Sequence, residues 1–407
     1  MEPQKNNLDC EYLIIGAGIV GLGIAKALIE QNSGADILII EKEGHVGEHG
    51  SGRNSGVLHA GFYYTANSLK AKFAREGNAR MTQYCIDNKL SINQSGKVVV
   101  TKHKNELPTL LDLKKRGDVN GVELEVVNEK ELKELEPAAK TVESALFAPT
   151  TATVNPREIC DFMQKDLQSK NVRFLFKDGF KKRIEGNTIL TTQNKTIKAG
   201  KIINAAGIYA DKVSQEFGFG KSFTIIPFKG IYLKDANVGD VPVKRNIYPV
   251  PDMRFPFLGT HFTTAVDGHV KLGPTAIPIF WREGYHGTQN FKLNELAAIT
   301  TWEARLFFSN AFGFRDLAFR EIKKYNRKTY LKMAEELVHD KSILQKLTKW
   351  TVPGIRSQLL NKKTKELVQD FVIESDNKSI HVLNAVSPAF TAAFPFGEYV
   401  VDQFIND

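Results

Sequence analysis

Cysteine is scarce: Cys10, Cys85 and Cys160 are the only three in 407 residues, and no Cys-x-x-Cys pair occurs. That excludes a disulfide framework, a zinc ribbon, an iron–sulfur site and a redox-active dithiol, and it fits a reducing compartment. No grouping of metal ligands is expected. Uninterrupted apolar runs long enough to span a membrane are also missing, because the candidate from Tyr12 to Ile29 is broken by Gly16, Gly18 and Gly21 and reads better as strand, turn and helix. The polar N-terminal residues reach the first apolar run within about ten positions, leaving no room for a signal peptide. A cytoplasmic location is expected, with peripheral contact at the inner face of the membrane left open. Gly220-Lys221-Ser222 lacks the earlier glycine of a P-loop, Gln215 standing in its place, so ATP binding of that kind is set aside. No internal repeat, low-complexity linker or RNA-binding module pattern is present. The formal charge of +9 therefore points to a small anionic substrate or an anionic surface ahead of nucleic acid.

What the chain does have begins at Tyr12-Leu-Ile-Ile-Gly16-Ala-Gly18-Ile-Val-Gly21, with a second apolar run, Ile37-Leu-Ile-Ile, closed by Glu41. A buried strand enters a turn that needs glycine, Gly18 admits a pyrophosphate close to the backbone, and Gly21 lets the following helix pack against the strand. The helix N-terminus favours the phosphates. Glu41, twenty positions after Gly21, suits a ribose 2′-OH and repels a 2′-phosphate, which favours FAD or NAD over NADP.

A chain of this length exceeds one ordinary core, so two domains are expected. Helices are predicted over Lys70–Asn88, Glu106–Lys115, Asn128–Glu136, from Asn155-Pro156 to Ser169, and over Ile208–Phe217, with a mainly helical stretch from Asn290 to Leu347. Strands are predicted at Lys97–Thr101, Arg173–Phe176, from Thr188 to Ile197, and from Lys201 into the small residues that end at Gly207. After Phe223 the pattern is β-rich, through Leu233, Arg245–Val250, Phe257–Thr264 and His269–Gly273. Leu367–Ile373, Ile380–Val386 and a helix from Pro388 to Ile405 close the chain. The expectation is an α/β fold: a discontinuous Rossmann-like dinucleotide domain (1–90, 150–222 and 345–407) with an inserted, mainly antiparallel α+β substrate domain (91–149 and 223–344). The cleft between them is the expected ligand site.

One segment, Glu48-His-Gly-Ser-Gly-Arg-Asn54-Ser55-Gly-Val-Leu-His59-Ala-Gly-Phe-Tyr63-Tyr64, gathers glycines, amides, hydroxyls and a histidine. With it come Pro227-Phe-x-Gly230, Ile247-Tyr-Pro-x-Pro-Asp252, Pro256-Phe-Leu-Gly, His261, Gly273-Pro274, Arg282-Glu-Gly-Tyr285, Gly354-x-Arg356 and Asn384-Ala-x-Ser387-Pro388-Ala389. In this order they resemble the L-2-hydroxyglutarate oxidase/dehydrogenase family of the D-amino-acid-oxidase superfamily, across nearly the whole chain. The chain departs from that family at Arg53 (usually histidine), Lys229 (arginine), Ile231 (glutamate), Met253-Arg254 and Ser357 (alanine).

The resemblance implies a glutathione-reductase-type FAD domain and assigns residues. Gly16, Gly18 and Gly21 would cradle the FAD pyrophosphate and Glu41 its ribose, with Asn54, Ser55, Ala206 and Gly207 along the cofactor. Gly354, Arg356, Ser387 and Ala389 would approach the isoalloxazine, and a final helix starting near Pro388 would turn its positive end toward reduced flavin. His59 would be the general base, with a pKa near neutrality, and His261 its rival. Arg356 would grip a substrate carboxylate through its planar fork, unless it pairs with an acid such as Asp370. Tyr63 would touch substrate, and Lys229, Arg254 and Arg282 are candidates for a second carboxylate. The implied reaction oxidises a small 2-hydroxy acid, L-2-hydroxyglutarate foremost, to its 2-oxo acid. Molecular oxygen or a membrane quinone remains as electron acceptor, since no second nucleotide fingerprint is present. The alternatives are an amine or amino-acid oxidase, a glycerol-3-phosphate dehydrogenase-like enzyme, and a flavoprotein without turnover. The phenylalanines and cations between Trp302 and Leu337 either face a membrane surface or pack as core.

Overall fold

The computed structural model describes residues 7–252 and 259–406. The first apolar run forms a strand, β1 (Asn7–Ile15), the glycine turn follows, and a helix, α1 (Ile19–Gln31), leads to a second strand, β2 (Ile37–Glu41). β1 lies parallel to β2 on one side and to Thr196–Asn204 on the other. Arg173–Phe176 continues the sheet beyond β2. The far edge of Thr196–Asn204 is shared: its start pairs antiparallel with Thr188–Thr191 and its end parallel with Ser379–Asn384. Leu13, Ile14, Ile15 and the whole of Ile37–Ile40 are buried, as expected of parallel strands covered on both faces by crossover helices. Strands from both ends and the middle of the chain thus build one α/β layer.

A second eight-stranded sheet, largely antiparallel, runs in the order Leu347–Trp350, Leu233–Asp235, Val270–Gly273, His261–Thr264, Asn246–Pro249, Lys97–Val100, Ser144–Ala148 and Glu125–Asn128. Among the described residues its one parallel contact joins Lys97–Val100 to Asn246–Pro249. In a separate three-stranded sheet, Phe223–Gly230 pairs with Gly354–Asn361 over its full length, which sets Arg356 opposite Phe228. The helices Leu293–Ser309, Phe314–Ile322 and Arg327–Lys332 follow in the mainly helical stretch.

Two elements differ from the sequence expectation for visible reasons. The last helix starts at Ala393 rather than Pro388, because Ser387–Ala392 form turns whose Thr391 hydroxyl accepts the His59 amide at 3.1 Å. The late strand is Val372–Ser375 rather than Leu367–Ile373, because Asp370 turns its carboxylate to the Leu69 and Lys70 amides at the start of the helix Leu69–Asp87. The start of the expected strand at Phe257 and the substrate candidate Arg254 lie outside the described residues.

Candidate active site

A cavity of about 1510 Å³ runs from the glycine turn to the second sheet, larger than the 300–1,000 Å³ typical of a single small-molecule site. At its first end, Gly16 has φ +107°, and a β-carbon there would meet the Ala205 carbonyl at 2.6 Å. Gly21 does not line the cavity: a β-carbon on it would strike the Gly16 carbonyl at 2.1 Å, so its part is close packing of helix on strand. Gly18 faces the cavity. The carboxylate of Glu41 accepts the Ala17 amide through one oxygen and the Glu43 amide through the other, both at 2.9 Å, which leaves further acceptor capacity on each. Ser51, unremarked in the sequence, accepts the Ile19 amide at 2.9 Å and so fixes the 48–55 loop on the N-terminus of α1.

Asn54 is occupied by its own loop, donating to the Ser51 carbonyl at 2.6 Å and accepting from the Gly56 amide at 2.8 Å. It lines the cavity beside Ser55, Ala206, Gly207, Gly354, Ser387 and Ala389. Gly354 must be glycine, because a β-carbon there would meet the Arg53 carbonyl at 2.1 Å. Arg53 itself stacks over the Tyr285 ring with its guanidinium 4.3 Å from the centroid. The turn Ser387–Thr391 forms cavity wall, whereas Ala393, the first residue of the last helix, is not part of the lining. The helix end expected beside flavin is therefore one turn further away.

The second end gathers His59, Tyr63, Tyr64, Lys70, Tyr232, Tyr248, His261 and Arg356. The charge of Arg356 acts on both histidines, on Lys70 and on Tyr64, Tyr232 and Tyr248, which makes it the electrostatic centre of this end. Burial, then Lys97, then Arg356 hold the His59 imidazole down to about 3, which corrects the expectation of a near-neutral value. Its Nδ1 is buried without a hydrogen-bond partner among the described residues. His261 is also held well below the usual histidine range, chiefly by burial. Its ring stacks on Tyr248 with centroids 3.6 Å apart, and Nδ1 lies 2.9 Å from the Gly259 carbonyl. A neutral ring in that contact carries its proton on Nδ1, so Nε2 is left bare.

Of the candidates for a second carboxylate, Arg282 is corrected: it is buried in a bidentate pair with Asp211, both bonds 2.8 Å. Lys229 is half-buried and outside the cavity lining. Sequence reasoning missed Lys97, which opens a strand whose four residues are all buried, and also Tyr64, Tyr232 and Tyr248. The absence of in-and-out alternation in Lys97-Val-Val-Val was the available signal for the lysine.

Residues 11–403 match the family described as FAD dependent oxidoreductase. The chain is 35% identical over 401 residues to the L-2-hydroxyglutarate dehydrogenase of Indibacter alkaliphilus, covering 97% of this chain and 98% of that one. It is 33% identical to the enzyme of that name from Escherichia coli K12 (97% and 92% covered) and to the mitochondrial one from Bos taurus (97% and 88%). Among solved structures, it is similar to an L-alpha-glycerophosphate oxidase from Mycoplasma pneumoniae with FAD bound (TM-score 0.73, 20% identity, 98% and 95% covered). A glycine oxidase from Geobacillus kaustophilus follows at 0.72 and 14%, with the same coverage. At these identities the two structures speak to the fold.

Proposed function

The chain belongs to the FAD dependent oxidoreductases and, within them, to the L-2-hydroxyglutarate dehydrogenases, and from that premise we propose that it oxidises the C2 hydroxyl of L-2-hydroxyglutarate to give 2-oxoglutarate. The observation that carries this reading is the continuity of one cavity from the glycine turn and Glu41 to Arg356 and two neutral histidines. The residues fit FAD: the turn is open at Gly18, Glu41 retains acceptor capacity for ribose hydroxyls, and the volume exceeds what a small acid needs. FAD, when bound, supplies a hydride acceptor at N5.

The chain supplies the rest. Arg356 binds the C1 carboxylate through its planar fork and fixes which face of C2 is presented. His261 takes the hydroxyl proton on Nε2, because its tautomer is already set by Gly259 and its neutral form persists well below neutrality. His59 flanks it. Tyr63 and Tyr248 wall the site and limit water. The 1–90, 150–222 and 345–407 segments hold the cofactor, except that Leu347–Trp350 joins the edge of the second sheet and so moves the expected boundary at 345 past Trp350, and the 91–149 and 223–344 segments bring His261 and Tyr248 to the substrate. Anaerobic addition of L-2-hydroxyglutarate to the FAD-loaded protein tests the reading. Bleaching of the flavin with one 2-oxoglutarate formed per flavin supports it; bleaching by amino acids alone overturns it.

The electron acceptor we propose is a membrane quinone, reached by peripheral docking on an anionic cytoplasmic leaflet. Phe308 (82% exposed), Phe319, Ile322 and Tyr325 stand out from the helical region among the exposed cations Arg305, Arg315, Arg320, Lys323 and Lys328, the composition that suits an anionic interface. Among the described residues no helix is long and apolar enough to cross a membrane.

A further inference from the structure

Lys97 is wholly buried, and its ammonium makes no hydrogen bond or ion pair among the described residues. It sits instead among three rings, 4.6 Å from the centroid of Phe62, 4.5 Å from Tyr63 and 4.8 Å from Tyr248. An ammonium taken out of water without a counter-charge is costly, and aromatic faces recover only part of that cost. Here burial lowers the Lys97 pKa to about 7. Two of its three rings, Tyr63 and Tyr248, line the cavity, and so do His59 and His261, on both of which its charge acts. The groups facing it are thus Phe62, Tyr63 and His59 from the 59–64 segment, Tyr248 and His261 from neighbouring strands, and the charge of Arg356 on the shared cavity. None of these is an anion. Lys70 also lines this end, but there the opposite charge of Asp370 acts on it, so Arg356 and a protonated Lys97 together leave more positive charge than one carboxylate neutralises.

We infer that Lys97 is a specificity-determining residue: from behind the wall made by Tyr63 and Tyr248, its charge selects a dianionic acid over a monoanionic one of the same length. It does not touch the reacting atoms. Arg356 answers to the carboxylate that both kinds of acid share, and Lys97 to the one that only the dianion brings. With Lys229 and Arg282 away from the cavity, this gives the second carboxylate of the proposed substrate its electrostatic partner. The inference rests on the reading of the reaction given above, but it makes a statement about binding that does not require turnover.

The FAD-loaded protein and its Lys97→Met variant, neutral and of similar length, are titrated by calorimetry with glutarate and with pentanoate, five-carbon acids lacking the reactive hydroxyl. The expected result is that Lys97→Met raises the Kd of glutarate on the order of tenfold, about 1.4 kcal/mol, and that of pentanoate by less than about threefold. Equal weakening of both acids would show that Lys97 only packs the wall, and an unchanged glutarate Kd, or no glutarate binding to wild type, would overturn the inference as well. A second measurement needs no variant. At pH 8 burial leaves Lys97 mostly unprotonated and Lys70 partly so; Lys70 responds to either acid, so glutarate should take up close to one proton more than pentanoate on binding, read by repeating the titration in buffers of different ionisation enthalpy. Equal uptake with the two acids contradicts the inference. If wild type binds glutarate as described while L-2-hydroxyglutarate leaves the flavin oxidised, the assigned reaction fails and the dianion preference stands.

Discussion

In the proposed mechanism Arg356 and His261 divide the chemistry between a fixed positive charge and a base that burial keeps neutral. Arg356→Lys keeps the charge and loses the fork, so the KM for a 2-hydroxy acid should rise strongly while the flavin spectrum changes little; an unchanged KM would move carboxylate binding to another residue. His261→Asn should slow anaerobic flavin reduction by about 10²-fold or more, the scale of a lost general base. The same change at His59 should cost less, because its Nδ1 has no hydrogen-bond partner among the described residues to set its tautomer; the reverse order would make His59 the base. The pH profile follows from the direction of both shifts. Burial and the nearby cations disfavour the imidazolium, so each ring remains neutral below the ordinary histidine value of about 6.5. At saturating substrate, where the Lys97 proton no longer limits binding, flavin reduction should therefore stay level from pH 8 down to about pH 5, and a limb falling through pH 6.5 would contradict a neutral state of the two rings.

At the scale of the element, the glycine turn and Glu41 were legible because they act through local backbone geometry and one strand–turn–helix unit. The helix Pro156–Ser169 was legible from its cap, Asn155, whose side chain accepts backbone amides of the first turn. Residues that matter through convergence were not. Tyr64, Tyr232, Tyr248 and Lys97 come from four separate segments, and no spacing in the sequence records that they meet. The start of the last helix was misread for a related reason: Pro388 is a good first helical residue, yet the tertiary contact from Thr391 to His59 keeps that stretch in turns. The same logic gives tests away from the chemistry. Gly354→Ala forces a β-carbon onto the Arg53 carbonyl, so the 48–55 loop must move and FAD retention on gel filtration should drop; full retention would show that the loop yields freely. Ser51→Ala removes the acceptor for the Ile19 amide and should lower stability by about 1 kcal/mol in denaturant melts.

At the scale of the whole molecule, an α/β layer built from both ends and the middle of the chain carries the glycine turn and Glu41, and the second sheet brings Tyr248 and His261 to the other end of the cavity. That division places a cost on stability. Lys97 is held at about 7 against 10.5 in an exposed chain, so between those values the unfolded state binds a proton that the folded state does not. Stability falls as pH drops from 10.5 toward 7, the sign for a depressed base. Lys97→Met relieves this, and its FAD-loaded form should melt no lower than wild type at pH 7; a clear drop would mean that the aromatic contacts outweigh the burial of charge. On the outer face, Phe308→Asp should reduce sedimentation with vesicles of anionic lipid, and undiminished sedimentation would place membrane contact elsewhere. L-2-hydroxyglutarate, a five-carbon 2-hydroxy dianion, should reduce the flavin held in this cavity. The most direct test is anaerobic stopped-flow reduction of the FAD-loaded protein by L-2-hydroxyglutarate, its D-enantiomer, L-glutamate and glycerol 3-phosphate. Rapid bleaching by L-2-hydroxyglutarate, with 2-oxoglutarate as the product and little reduction by the other three, is the predicted result. A flavin left oxidised by L-2-hydroxyglutarate but reduced by L-glutamate or glycerol 3-phosphate would contradict it.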